Sequence, residues 1–216
     1  VIGSGGAALA AAVTAAEAGK SVVMLEKMDI YGGNTNAGEG TLNAPDPERQ
    51  EPMGIEDSPD FYYTQTFEGG DSAGELVQVL AENALDAVHW MEDHGLIYEK
   101  EVFTAIGGLW QRGHAVEVER KGEQGGSYYV SCLMDAAQAT GNFTLYTDAK
   151  IEELIVEGGA VVGVRGTRPS SGEAVEVRGK SVVLATGGYS RNAELAMQYD
   201  KRVTESMPSS NVCSST

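Results

Sequence analysis

Val1-Ile2-Gly3-Ser4-Gly5-Gly6-Ala7-Ala8 is the stretch whose reading decides the fold: an apolar strand end runs into a glycine turn and then into an alanine-rich helix. Gly3 permits the tight turn, and Gly5 lets backbone approach a pyrophosphate. Ala8 stands where a third glycine often sits and still allows close helix–strand packing. The start of the helix offers N–H groups and a partial positive charge to phosphates. Gly19 ends it, as a C-terminal glycine does. The next apolar run, Ser21-Val22-Val23-Met24-Leu25, leads to Glu26, 21 residues after Gly5, where a carboxylate can accept hydrogen bonds from a ribose diol. A glycine turn alone would be weak evidence. Strand, turn, helix, strand and acid in this order predict a dinucleotide-binding unit.

The 216 residues are enough for one large domain or a domain with an excursion. Fifteen Lys and Arg against 32 Asp and Glu give a formal charge of −17, which argues against a nucleic-acid backbone or an anionic membrane surface as partner. The apolar stretch Ala7–Ala16 is too short and too rich in alanine to span a bilayer. No signal peptide is visible. Only two residues stand before Gly3, so the natural N-terminus is expected to lie upstream, and localisation (cytoplasm, or periplasm and cell envelope) depends on it. Cys132 and Cys213 lie far apart without a C-x-x-C, and His89, His94 and His114 show no metal spacing, so no metal site is expected. Cys132 reads as a small core residue.

Further along, residues 31–47 form a loop rich in Gly and Asn, and residues 46–58 an acidic, proline-bearing linker whose carboxylates read as solvated. Ser58-Pro59-Asp60 starts a helix over about 59–67, with Ser58 as N-cap and Pro59 at the first helical position. Residues 74–94 carry a helical period with Leu76, Val77, Leu80, Ala84, Ala87, Val88 and Met91 on one broad face, ended by Gly95. Residues 96–124 read as irregular. A helix over about 126–140 has Tyr129, Cys132, Leu133, Ala136 and Ala137 as its stripe, and Phe143–Tyr146 is a short strand. Segments 149–156, 160–167 and 174–178 are β, the first two joined by Gly158-Gly159. Ser181-Val182-Val183-Leu184-Ala185 reads as a buried strand ending in Thr186-Gly187-Gly188-Tyr189. The tail, Met207 to Thr216, has no cap or strand to close it.

A plain NAD domain alternates strand and helix. Here a β-α-β unit is followed by a long helical excursion (46–124), a helix and strand, a three-stranded β-meander (149–178) and a strand ending Ala-Thr-Gly-Gly. This order resembles the glutathione-reductase-type FAD domain: an α/β, Rossmann-like fold with a helical excursion and a meander, covering residues 1–216. Five separated motifs narrow the resemblance: Gly3-Ser4-Gly5-Gly6-Ala7-Ala8, Leu25-Glu26-Lys27, Gly32-Gly33-Asn34-Thr35, Gly40-Thr41-Leu42-Asn43-Ala44 and Ala185-Thr186-Gly187-Gly188-Tyr189. They are similar to the flavoprotein of the fumarate reductase/succinate dehydrogenase family, and most to its soluble fumarate, urocanate and enoate reductases.

The resemblance implies FAD as cofactor. Gly5, Gly6 and Ala7 would face its pyrophosphate and Glu26 the adenosine ribose, with Gly3 and Lys27 also among the cofactor-binding residues. Gly33, Asn34 and Thr35 would lie along the pyrophosphate and ribityl chain, and Gly38, Glu39 and Gly40 along the isoalloxazine. Lys150 would meet adenine through its main chain, and Ala185, Thr186 and Gly187 would pass close to the cofactor. The Asn/Thr/Gly composition of 32–44 suits a loop that offers amides to a polar ligand, although an ordinary surface loop has the same composition. The implied reaction passes hydride from flavin N5 to the β-carbon of an unsaturated carboxylic acid, with an arginine of a capping domain as proton donor. That domain and the C-terminal segment are expected outside this sequence, so no catalytic residue is assigned within it. The electron donor, a haem, FMN or NADH module, is expected outside it too.

Membrane-bound succinate dehydrogenases carry a flavin-linked histidine where this chain has Asn34, which implies noncovalent FAD. Glu39 and Thr41 replace residues usually small in the family. A carboxylate at Glu39 either lowers the flavin potential or points to solvent. Arg112 and His114 are of the types that bind a substrate carboxylate, but equally of the types that anchor a loop. Trp90 and Trp110 read as packing. Two further readings stay open: a 3-ketosteroid dehydrogenase-like flavoenzyme, sharing the G-x-G-x-x-A turn and the Glu-Lys pair, and a noncatalytic FAD-binding or electron-transfer fragment.

Overall fold

The computed structural model describes residues 1–70, 73–119, 122–209 and 211. Its elements in chain order are α1 (Gly6–Glu17), β1 (Val22–Leu25), β2 (Leu42–Asn43), α2 (Pro47–Gln50), α3 (Pro59–Gly69), α4 (Gly74–Asp93), β3 (Gly113–His114), α5 (Gly125–Ala139), β4 (Phe143–Tyr146), β5 (Lys150–Glu157), β6 (Ala160–Thr167), β7 (Ala174–Arg178) and α6 (Ala193–Tyr199). They fall into two compact units, Val1–Ala37 with Val130–Thr216, and Gly38–Tyr129.

The first unit is the mixed α/β body that the sequence predicts. β1 pairs in parallel with β4, in register from Val22↔Phe143 to Leu25↔Tyr146. Ile2 bridges in parallel to Leu25 on one side and to Leu184 on the other. Ala8, Leu9, Ala12, Val13 and Ala16 of α1 are buried, so the alanine run is a smooth face on which helix and strand approach closely. The helix closes as expected at Gly19, whose φ is +72. Gly19 N–H donates to Ala16 O and Lys20 N–H to Ala15 O, the paired bonds of a Schellman end. β5, β6 and β7 form the expected antiparallel meander. It packs through Ala149, Ile151, Val164 and Val177 onto Ile2 and Leu25.

One expectation in this unit fails. Ser181–Ala185 is extended but makes a single ladder bridge, and Leu184 is 63% exposed rather than buried. Leu184 and Ala185 line a cavity of this unit.

The second unit is built from α2, α3 and α4, the antiparallel pair β2–β3, and irregular connections. Ser58 Oγ accepts from the Phe61 N–H and Pro59 opens α3, as read from the sequence. α4 has the expected length but presents a different stripe. Val77, Ala81, Ala84, Val88 and Met91 are buried, while Leu76 is 72% exposed and Leu80 is exposed too. A 3.6-residue period admits neighbouring stripes, and packing on α3 and β2 selects between them. The region 96–124 is not wholly irregular: Gly113–His114 pairs with Leu42–Asn43. Among the described residues, no helix is long and apolar enough to cross a membrane.

Candidate functional site

The first unit holds a cavity of about 550 Å³ at the carboxyl ends of its parallel segments. Five separated stretches line it: Ile2–Ala7, Leu25–Lys27, Gly33–Thr35, Ala149–Ile151 and Leu184–Gly188, together with Asn192 and Leu195. Thirteen of the sixteen residues singled out from the sequence are therefore brought together: Gly3, Gly5, Gly6, Ala7, Glu26, Lys27, Gly33, Asn34, Thr35, Lys150, Ala185, Thr186 and Gly187. Gly38, Glu39 and Gly40 do not line this cavity and belong to the second unit.

Backbone pairing sets the geometry. Gly3 N–H donates to Leu25 O (2.8 Å) and Ala185 N–H to Ile2 O (2.9 Å), which closes three chain segments around the turn. Gly3 has φ +96, and a Cβ there would overlap the Ala185 carbonyl oxygen. Its glycine is thus required by the protein itself. Gly5 differs: its φ is −73, and a Cβ would meet Thr35 Oγ1 at 3.5 Å and Gly32 O at 3.8 Å, ordinary contacts. Nothing in the chain demands glycine at position 5, which is what a cradle kept open for a ligand predicts. The Gly6 N–H donates to Thr35 Oγ1 (2.9 Å), tying the Gly33–Thr35 turn to the helix start. The first amides of α1 have no intrahelical acceptor, so a phosphate group fits there in both hydrogen bonding and charge.

Glu26 is 6% exposed. Its Oε1 accepts from the Met28 N–H (2.9 Å) and its Oε2 from Ser4 Oγ (2.5 Å). Ser4 also accepts the Gly32 N–H (3.0 Å). Ser4 was not singled out in the sequence, because the motif leaves its position unspecified. Its small polar type between two glycines was the available signal. The residues present therefore suit a diphosphate nucleoside: amides for the phosphates, a backbone cradle at Gly5, and a buried, oriented acid.

In the second unit the acidic linker is corrected. Asp46 and the Asp57 side chain are buried, not solvated. Asp46 Oδ2 faces His114 Nε2 (3.0 Å) and Arg49 Nη1 (2.8 Å), and Arg49 continues to Glu92 (2.6 Å). His114 is 0% exposed, its Nδ1 against the carbonyl oxygens of Leu42 (3.2 Å) and Arg112 (3.1 Å). Arg112 forks onto Asp57 through Nε (2.9 Å) and Nη2 (2.8 Å), reaches Gln65 (2.9 Å), and lies 4.5 Å over the Tyr62 ring. Both residues are committed to anchoring, so the loop-anchoring reading accounts for them. Asp46 also caps α2 through the Glu48 and Arg49 N–H groups, a local signal that an Asp-Pro pair offered, whereas the burial partners His114 and Arg112 lie many residues away. Trp110 meets Phe61 edge-on and donates to Glu56 O, and Trp90 packs on His94, so both are packing residues. Glu39 is exposed in this unit, and Gly40 (φ +79) crosses the backbone of Gly125 too closely for any Cβ.

Burial alone would raise the Asp46 carboxyl, but hydrogen bonds from His114 and Arg49 outweigh it and hold the group below its ordinary value. A carboxylate depressed on folding stabilises the fold above its unfolded value, and that contribution disappears as pH falls through the folded value. Acid titration followed by fluorescence of Trp90 and Trp110 is expected to show a transition below about pH 4. Asp46→Asn is expected to flatten the pH dependence, and an unchanged acid slope would exclude this origin.

Among the described residues no group of three or more His, Cys, Asp and Glu side chains is arranged to hold a metal ion. Cys132 is half-buried in α5, and Cys213 lies outside the described residues.

A family model described as an FAD binding domain matches residues 1–215. A urocanate reductase of Eggerthella lenta is 36% identical over 217 residues, covering 98% of this chain and 35% of its own length. The open conformation of a flavocytochrome c3 fumarate reductase superposes with a TM-score of 0.84 at 29% identity, over 97% of this chain and 36% of that one. A 3-ketosteroid-Δ4-(5α)-dehydrogenase of Rhodococcus jostii RHA1 superposes with a TM-score of 0.86 at 23% identity, over 98% of this chain and 50% of that one, a likeness of fold. The chain thus spans about a third of the curated relative's length.

Proposed function

The chain belongs to the FAD binding domain family, and from that premise we propose that it is the flavin-holding part of an oxidoreductase that reduces the C=C bond of an unsaturated carboxylic acid. The observation that carries the reading is the convergence of five sequence-distant stretches, each of the type a flavin dinucleotide needs, on one cavity. The 36% identity to a urocanate reductase and the 29% identity to a fumarate reductase support the enoate class over the steroid class.

In this reading Gly3, Gly5, Gly6 and Ala7 line the diphosphate, Gly3 by making the turn and Gly6 by tying the helix start to Thr35, and Glu26 with Lys27 takes the adenosine ribose end. Gly33, Asn34 and Thr35 follow the pyrophosphate and ribityl chain. Lys150 offers its main chain to adenine, and Ala185, Thr186 and Gly187 give close backbone passage. Gly38, Glu39 and Gly40 serve the ring. Asn34 has no nucleophilic ring nitrogen, so the cofactor is held noncovalently. When bound, the flavin supplies hydride transfer to carbon. The chain's own residues bind and orient it, and the groups that grip the acid and supply the proton lie on the rest of the protein.

Purified protein is expected to show flavin absorbance, with all of the flavin released into the supernatant on acid precipitation. The reduced full-length protein is expected to be reoxidised by fumarate, urocanate or an acrylate-type acid. If the oxidised form is instead reduced by a 3-ketosteroid and none of the acids reacts, the enoate assignment falls and the steroid alternative replaces it. Flavin binding with no reaction of either kind leaves a noncatalytic FAD-binding or electron-transfer module.

A further inference from the structure

We infer that Ser4 is a positioning residue for the adenosine ribose: its hydroxyl fixes the Glu26 carboxylate so that one acceptor position on each oxygen is presented to the two ribose hydroxyls. The inference rests on the flavin reading above.

The hydrogen-bond accounting carries it. Ser4 is almost wholly buried, so its hydroxyl must be satisfied within the protein. A hydroxyl has one hydrogen. Because the Gly32 N–H is a donor, the Ser4 oxygen accepts it (3.0 Å), and its hydrogen goes to Glu26 Oε2 (2.5 Å). The other oxygen, Oε1, accepts the Met28 N–H (2.9 Å). A carboxylate has about four acceptor positions. One on each oxygen is used, and one on each remains, the number that a vicinal diol needs. Glu26 lines the cavity along with the Gly5 cradle and the Gly33–Thr35 turn. Without the Ser4 donor, the Met28 N–H on Oε1 is left to hold the carboxylate from one side, and rotation about the terminal torsion, which is intrinsically broad, is no longer pinned at Oε2.

The same hydroxyl joins three parts of the site: the glycine turn that carries it, the acid at the end of β1, and the Gly32–Gly33 turn. Thr35 at the far end of that turn receives the Gly6 N–H (2.9 Å). Two hydroxyls thus clasp the Gly32–Thr35 motif to the first across 28 and 29 residues of sequence.

The test compares ADP with 2′-deoxy-ADP by calorimetric titration of flavin-stripped protein, wild type and Ser4→Ala. Wild type is expected to prefer ADP by about tenfold, the scale of one hydrogen bond to a charged group. Ser4→Ala is expected to reduce the preference to about twofold or less. The ratio is insensitive to partial unfolding, because the folded fraction scales both apparent affinities equally. A general structural role weakens both nucleotides by the same factor and leaves the ratio at its wild-type value; that result, or loss of all binding to both, overturns the inference. Wild-type protein that binds FAD but does not discriminate the 2′-deoxy nucleotide overturns it while leaving the flavin reading intact. Wild-type protein that binds neither ADP nor FAD overturns both.

Discussion

Gly3→Ala is expected to destabilise the first unit by roughly 2–6 kcal/mol, combining a left-handed backbone cost of ~1–3 with overpacking of ~1–3. The residue sits at φ +96, and its missing Cβ is replaced in space by the Ala185 carbonyl. That carbonyl belongs to the segment held against Ile2 by the Ala185 N–H bond, so relief of the clash would open the ladder next to the cavity. The denaturation midpoint should fall and flavin retention with it. Gly5→Ala is the contrast. Its backbone is ordinary and its space open, so stability should change by only about 1 kcal/mol while flavin retention drops. A Gly3→Ala protein with a wild-type midpoint would contradict the packing argument. A Gly5→Ala protein that holds flavin as well as wild type would contradict the cradle.

Arg112→Ala should be the second large effect, at roughly 3–5 kcal/mol, because it strands a buried carboxylate. Asp57 accepts both guanidinium bonds in a site with the Asp57 side chain 1% and the Arg112 side chain 4% exposed. Arg112→Lys should recover only part of the loss, since an ammonium cannot reproduce the fork or the stacking on Tyr62. Trp110, packed on Phe61 beside this network, reports the transition by fluorescence. In the full-length protein these variants also separate anchoring from substrate binding. An unchanged unfolding midpoint, with binding of the acid substrate lost, would reverse the present assignment.

Local signals were legible wherever the physics is local. The Gly19 helix end, the Ser58–Pro59 start and the Gly158-Gly159 hairpin depend on residues within a few positions of one another, and the structure has each as read. The spaced glycines and Glu26 were legible because their spacing around a strand–turn–helix follows a recurring pattern, Gly3 being held to it by the Ala185 carbonyl. Long-range partners were not. Asp57 looked solvated because Arg112, which pairs with it, comes 55 residues later, and Asp46 because the His114 ring that covers it comes 68 residues later. The two-residue ladder β2–β3 is too short for any period to announce it. Ser4 offered only its residue type until Glu26 and Gly32 were brought beside it.

The sequence by itself therefore determined the βαβ opening, the meander, the helix ends and the kind of ligand, because each follows from steric or capping rules acting over a few residues. Only the tertiary structure decided which face of α4 is buried, which charges are paired, why Gly3 and Gly5 are glycines for different reasons, and which hydroxyl holds the acid. Those outcomes depend on distance between residues far apart in the chain, and hydrogen bonds and steric overlap act only over a few ångströms.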